Sequence, residues 1–112
     1  MSNLRRVGAE AEDRAAAHLL EQGYTIVTRR FKARRGEIDI IAYDGDTLVF
    51  VEVKFRKGVE QPELAVDDRK LELLYESAQE YLSKSDIDPS DVRLDVIAID
   101  DRGLRHLKNA FG

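Results

Sequence analysis

The 112-residue chain has no cysteine, which removes disulfide frameworks, thiolate zinc or iron–sulfur centres and cysteine nucleophiles from consideration. Its two histidines, His18 and His106, stand too far apart in sequence for a local metal motif. No apolar run approaches the roughly 20 residues of a membrane span, and residues 1–6 lack the apolar stretch of a secretory signal. A cytoplasmic protein with no membrane contact is the expectation. Repeats, linkers and low-complexity tracts are missing too. So is an excess of positive charge: the net charge of -4 argues against coating nucleic acid through bulk electrostatics.

What is present suits one domain spanning residues 1–112, with 43% hydrophobic and 36% charged residues, far from the composition of disorder. The charge is unevenly spread. Residues 29–57 hold eight basic and five acidic side chains, a local +3 that leaves -7 for the remainder. Five of the seven residues from 29 to 35 are cationic: Arg29, Arg30, Lys32, Arg34 and Arg35. Such a run reads as a phosphate-contacting strand end or as a sheet edge blunted by charge against aggregation.

Apolar positions at Leu4, Val7, Ala11, Ala15 and Leu19 have helical spacing and predict a helix over residues 4–21, stopped at Gly23. Glu12 falls inside the apolar arc of that helix, so it is either paired or holds a metal. Residues 24–31, 37–43 and 47–55 are rich in β-branched and aromatic side chains and predict an antiparallel meander, with Asp44-Gly45-Asp46 as the turn between the last two. A loop over 58–62 leads to a second helix over 66–82, then a turn over 85–90, a strand over 92–99 and a short edge strand over 104–107. The order helix, three strands, helix, strand predicts an α/β fold. Its small mixed central sheet is flanked by helices, the fourth strand parallel to the third. Val49, Val51 and Val53 on one face, with Leu48 and Phe50 on the other, make the third strand central.

On that strand the apolar alternation breaks at Glu52 and Lys54, which share the face of Leu48 and Phe50. Asp39 interrupts the similarly apolar preceding strand. If Gly45-Asp46 is the loop, Asp39 stands directly opposite Glu52; if Asp44-Gly45 is the loop, it stands opposite Phe50 and diagonal to Glu52. Strand alternation puts both carboxylates on one face in either register. Two carboxylates crowding a half-buried spot call for a shared proton or cation, and oxygen ligands without cysteine point to Mg²⁺ or Mn²⁺. The competing reading is an ionic pair of Glu52 and Lys54 with Asp39 on a solvated sheet surface.

Gly36-Glu37-Ile38-Asp39-Ile40-Ile41 followed by Phe50-Val51-Glu52-Val53-Lys54 resembles the signature of the PD-(D/E)xK, restriction-endonuclease-like nucleases. The chain is especially similar to the YraN-like family of small bacterial proteins, related in fold to archaeal Holliday junction resolvases. The likeness extends from the Glu12 helix through Gly23-Tyr24 and the basic strand to Ala65-Val66, Lys70, Arg93-Leu94-Asp95 and Asn109-Ala110-Phe111. It departs at Ala11, where a second glycine is usual, at Arg30-Phe31-Lys32, where Asn-Trp-Arg is usual, and at Leu94, where Phe is common.

The resemblance implies a restriction-endonuclease-like core and a metal-dependent nuclease acting on DNA, including branched or structured DNA. Asp39 and Glu52 would ligate Mg²⁺ or Mn²⁺, Glu12 would complete the metal set, and Lys54 would be the catalytic lysine. Glu37 would stand behind the ligands or form a surface ion pair. Arg29, Arg30, Lys32, Arg34, Arg35, Arg56 and Lys57 would supply phosphate attraction. Lys70 would touch a phosphate or snorkel from its helix. Symmetric cuts would require two active sites, hence a homodimer. His18 and His106 are left as structural or surface residues, and Arg93 with Asp95 as a local pair. The rival expectations are a nucleic-acid-binding or adaptor module of the same fold that cleaves nothing, and a purely structural role.

Overall fold

The computed structural model describes residues 4–57, 68–88 and 91–110. Helix α1 (Leu4–Glu21) leads to strands β1 (Thr25–Lys32), β2 (Glu37–Asp44) and β3 (Thr47–Phe55), helix α2 (Asp68–Lys84), and strands β4 (Asp91–Asp100) and β5 (Gly103–Leu107). The sheet runs β1-β2-β3-β4-β5, antiparallel throughout except for the parallel β3–β4 pair. This is the expected mixed α/β sheet with a helix on each side. The predicted start of the second helix at Val66, Pro89 of the predicted turn and the closing Phe111 lie outside the described residues. Among those described, no helix is long and apolar enough to cross a membrane.

Helix α1 buries Ala11, Ala15, Ala16 and Leu19 against Ile40, Ala42, Val49, Val51, Ile97 and Ile99. Helix α2 brings Ala78, Tyr81 and Leu82 to the other face, against Ile41, Leu48, Phe50 and Ile38. Strand β3 is therefore buried on both sides, because its alternate residues feed two separate cores. The first strand begins one residue later than its composition suggests. The Tyr24 amide bonds back to the Leu19 carbonyl at 2.9 Å and the Gly23 amide to Leu20 at 3.1 Å, with Gly23 at φ 89°. This pair of bonds is a glycine-dependent helix end that commits Tyr24 to the cap and leaves Thr25 to open the strand.

At the β2–β3 turn Asp44 pairs with Thr47, so Gly45-Asp46 is the loop, and Gly45 at φ 62° supplies the positive φ that a two-residue hairpin needs at its first position. Of the two registers the sequence allows, this is the one that would set Asp39 opposite Glu52 if the pairing ran one residue past its last partners, Ile40 and Val51. Gly36 serves a different need. A Cβ there would lie 2.9 Å from Ser77 Oγ on α2, so glycine lets the β1–β2 loop pass close to the helix without displacing that hydroxyl.

Candidate functional site

The regular β2–β3 ladder ends at the Ile40–Val51 pair. One step further, an unbroken antiparallel ladder would give the Val53 amide to the Ile38 carbonyl. Instead that amide donates to Asp39 Oδ2 at 2.7 Å. The strands part here, and the aspartate side chain fills the opening.

The parting also changes which way β2 faces. Ile40 packs on the α1 side, yet Ile38, two residues away, packs with Phe31 on the α2 side. Asp39 lines a cavity of about 830 Å³ on the α1 side with Glu12, Arg30, Lys32, Glu37, Val53 and Phe55. Glu52 keeps the expected face and lines a smaller cavity of about 140 Å³ toward α2 with Gly36, Glu37, Lys70 and Leu73. The shared face expected for Asp39 and Glu52 is therefore corrected: the alternation that predicts it is interrupted where the ladder ends. Glu37 lines both cavities.

Strand β1 makes a matching adjustment. Arg30 has φ 56°, a left-handed conformation that costs a non-glycine residue about 1–2 kcal/mol. In a regular strand successive side chains alternate. Here Arg29 and Arg30 both turn to Glu12: Arg29 Nε donates to Oε1 at 3.0 Å, and Arg30 Nε reaches Oε1 and Oε2 at 3.3 Å each. Of the two roles the sequence leaves open for Glu12, the structure gives it the paired one.

The ionic groups on the α2 side are equally close. Lys54 Nζ lies 3.3 Å from Glu52 Oε1, and both side chains are largely buried. In the first turn of α2, Lys70 has its pKa lowered by the neighbouring Lys54 ammonium and by burial, with Glu52 opposing. Burial raises the Glu52 carboxyl, opposed by Lys54. Asp39 is pushed up to about 7, first by burial and then by the charge of Glu52, with the Val53 amide resisting and Glu12 and Glu37 adding to the rise. The two carboxylates thus sense each other across the parted strands. Among the described residues, no group of three or more His, Asp or Glu side chains is gathered closely enough to hold an ion by itself.

The basic border is more committed than the sequence suggests. Arg29 also binds Asp13 at 2.7 Å, Arg35 binds Glu76 at 3.1 Å, and the Arg34 amide donates to Glu80. Arg56 caps the Phe55 carbonyl at 2.8 Å. Lys32 and Lys57 are exposed, Lys32 at the rim of the larger cavity.

Sequence reasoning missed a second polar cluster, at the other end of the α1 face. Asp95, 1% exposed, receives Arg93 Nε at 2.8 Å, His106 Nε2 at 2.8 Å and the Asn109 amide at 2.9 Å. Arg93 reaches the Tyr24 hydroxyl at 2.6 Å and Asp44 at 3.1 Å, and His106 Nδ1 meets His18 Nε2 at 3.1 Å. Burial is the largest influence on Asp95 and acts to raise it, but the bonds from His106, Arg93 and Asn109 outweigh it and hold the carboxyl at about 2. The Arg93–Asp95 pair was legible as alternation on one strand. The histidine contact was not, because 88 residues separate its members.

A small mixed α/β domain carrying an acid–lysine cleft where two central strands part is the class that this fold and site define. The profile of the uncharacterised protein family UPF0102 matches residues 11–99, and the chain belongs to that family, the YraN-like proteins that its motifs resemble. It is 44% identical to a UPF0102 protein of Persephonella marina over 106 residues, covering 93% of this chain and 91% of the relative. A Geobacter sulfurreducens relative is 42% identical over 112 residues, covering 94% and 88%. One from Rhodococcus opacus is 40% identical over 118 residues, covering 99% and 100%.

Proposed function

We propose that this protein is a metal-dependent nuclease of the restriction-endonuclease-like fold, hydrolysing DNA phosphodiester bonds in the cytoplasm, with branched or structured DNA as its substrate class. The observation that carries the reading is Asp39. Its carboxylate fills the opening between β2 and β3, held by the Val53 amide at 2.7 Å, and burial and the charge of Glu52 lift it to about 7. A fold keeps such a group at a cost to its own stability, which is the mark of a functional position.

The donor chemistry fits Mg²⁺ or Mn²⁺. Asp39, held at the Val53 amide, and Glu52, beside Lys54, offer hard carboxylate oxygens, and water or a substrate phosphate commonly completes such a coordination shell. Asp39 and Glu52 would hold the ion, and Glu12, paired here with Arg29 and Arg30, would join them as the third acid on release from the two arginines. When bound, the ion would supply charge neutralisation at the phosphoryl oxygens and a more acidic water.

Lys54 lies against Glu52 with its ammonium directed to the same place, where it steadies the attacking water or the charge gathering on the phosphoryl oxygens. Glu37, lining both cavities, orients these groups without touching the reacting atoms. Lys32, Lys57, Lys70 and the arginines at positions 29, 30, 34, 35 and 56 supply the phosphate contacts, and two copies of the chain serve a four-way substrate.

Purified protein with Mg²⁺ or Mn²⁺ is expected to nick linear, single-stranded, flapped or four-way DNA, and Asp39→Ala or Lys54→Ala to abolish the activity. Activity surviving both substitutions overturns the assignment. The second reading, a binding module without catalysis, draws support from Glu12, whose two oxygens are held by Arg29 and Arg30 and not left open to a metal. DNA binding without cleavage, unchanged by Asp39→Ala, is its signature.

A further inference from the structure

Glu12 is 7% exposed, and both its oxygens are held by guanidiniums from two consecutive strand residues. The arrangement depends on the strained backbone at Arg30, which brings neighbouring side chains to one side of the strand. Both arginines bind through Nε. The Arg30 side chain remains 55% exposed at a cavity it shares with Lys32, Glu37 and Asp39. Two partly exposed cations, one of them also paired with the exposed Asp13, thus neutralise one buried anion beside the carboxylates of Glu37 and Asp39.

From this geometry we infer that Arg29 and Arg30 form an exchange latch, an inference that rests on the nuclease reading above. In the free protein they neutralise Glu12. With a nucleic-acid backbone in the cavity they transfer to phosphodiester oxygens, and the released Glu12 carboxylate adds its charge to a cation held beside Asp39, with which it shares that cavity. The exchange balances because each partner is replaced: phosphate takes the guanidiniums, and a divalent cation takes the carboxylate. Moving the arginines alone would strand a buried anion, and adding the cation alone would leave Glu12 occupied. Each ligand therefore favours the other, and linkage makes the effect reciprocal.

The test reads binding, not turnover. A short fluorescent DNA duplex with phosphorothioate linkages is titrated with wild type, Glu12→Gln and Arg30→Gln at constant ionic strength, with and without Mn²⁺, after thermal melts establish that each variant folds. Saturating Mn²⁺ is expected to tighten the wild-type complex by about 10-fold, within the usual range of such couplings. Glu12→Gln frees Arg30 and leaves Arg29 with only its exposed partner Asp13, so without metal it should bind DNA several-fold more tightly than wild type and gain little from Mn²⁺. In calorimetry with Mn²⁺ alone, Arg30→Gln should bind the ion more tightly, because Glu12 has lost a competitor.

The sign of the Glu12→Gln effect is decisive. If Glu12 merely steadies the arginines for phosphate, the variant binds DNA no better than wild type, and the latch is overturned. Additive binding of Mn²⁺ and DNA to wild type overturns it as well while leaving the nuclease reading intact. Wild type that takes up neither Mn²⁺ nor DNA overturns the nuclease reading, and the latch with it.

Discussion

Asp39 and Asp95 are the same side chain on one five-stranded sheet, and their carboxyls move in opposite directions. Burial is the largest influence on both and raises both. Their neighbours decide the outcome. Asp95 receives a guanidinium, an imidazole and a backbone amide, and is held at about 2. Asp39 receives one amide and faces Glu52, Glu12 and Glu37, and it rises to about 7. One end of the molecule uses a buried carboxylate as a structural anchor. The other leaves a carboxylate with a need for positive charge.

The largest effect should come from breaking the anchor. Asp95→Ala leaves Arg93 and His106 without their common partner, and loss of one member of a buried ionic network costs about 3–5 kcal/mol. That is a large fraction of the roughly 5–15 kcal/mol by which domains are stable. Urea unfolding at neutral pH measures it, and a loss below about 1 kcal/mol would remove the distinction between the two ends. The wild-type contribution should be complete above about pH 4 and fade as pH falls toward 2, because the folded carboxyl keeps its charge where the unfolded one is protonated.

Removing the charge of Asp39 should do the reverse. Between the ordinary aspartate value of 3.8 and about 7, the folded protein holds a proton that the unfolded chain has released, so stability falls as pH rises through this window. Asp39→Asn keeps an oxygen for the Val53 amide and carries no charge. At pH 8 it should be more stable than wild type by about 1–3 kcal/mol, a gain that vanishes below about pH 4. Mn²⁺ should raise the wild-type melting temperature and leave the variant unmoved. A variant less stable than wild type at pH 8 would place Asp39 among the anchors.

The comparison also separates what the sequence expresses from what it conceals. Helix α1 was legible to its ends because its periodicity and Gly23 coincide with its packing and its cap. Glu52 and Lys54 were legible as ionic residues on an apolar face, since β3 stays regular through them. The course of Asp39 was not legible. Its change of face comes where a hydrogen-bonded ladder ends, and that end leaves no mark on residue type. Glu12 was recognisable as a misplaced acid, whereas its partners were not, because helix α1 and strand β1 meet only in the folded chain. The same reason hid the anchor: His18, Tyr24, Asp95 and His106 come from four separate segments.

The smallest of these effects sharpens the contrast within the anchor itself. A single hydrogen fits between His18 Nε2 and His106 Nδ1 at 3.1 Å, and a second would set two N–H groups against each other. Burial and then His106 lower the His18 pKa, with Lys108 acting the same way and Glu21 opposing. A base held below its ordinary value of 6.5 adds stability above that pH and loses it as pH falls, the opposite slope to that of Asp39. His18→Gln should cost about 0.5–1.5 kcal/mol at pH 7.5, the worth of one hydrogen bond, and less at pH 5. Unfolding free energies of wild type and variant across this range supply the check. A difference that stays constant with pH would mean that His18 contributes packing alone, leaving Asp95 to hold His106 unaided.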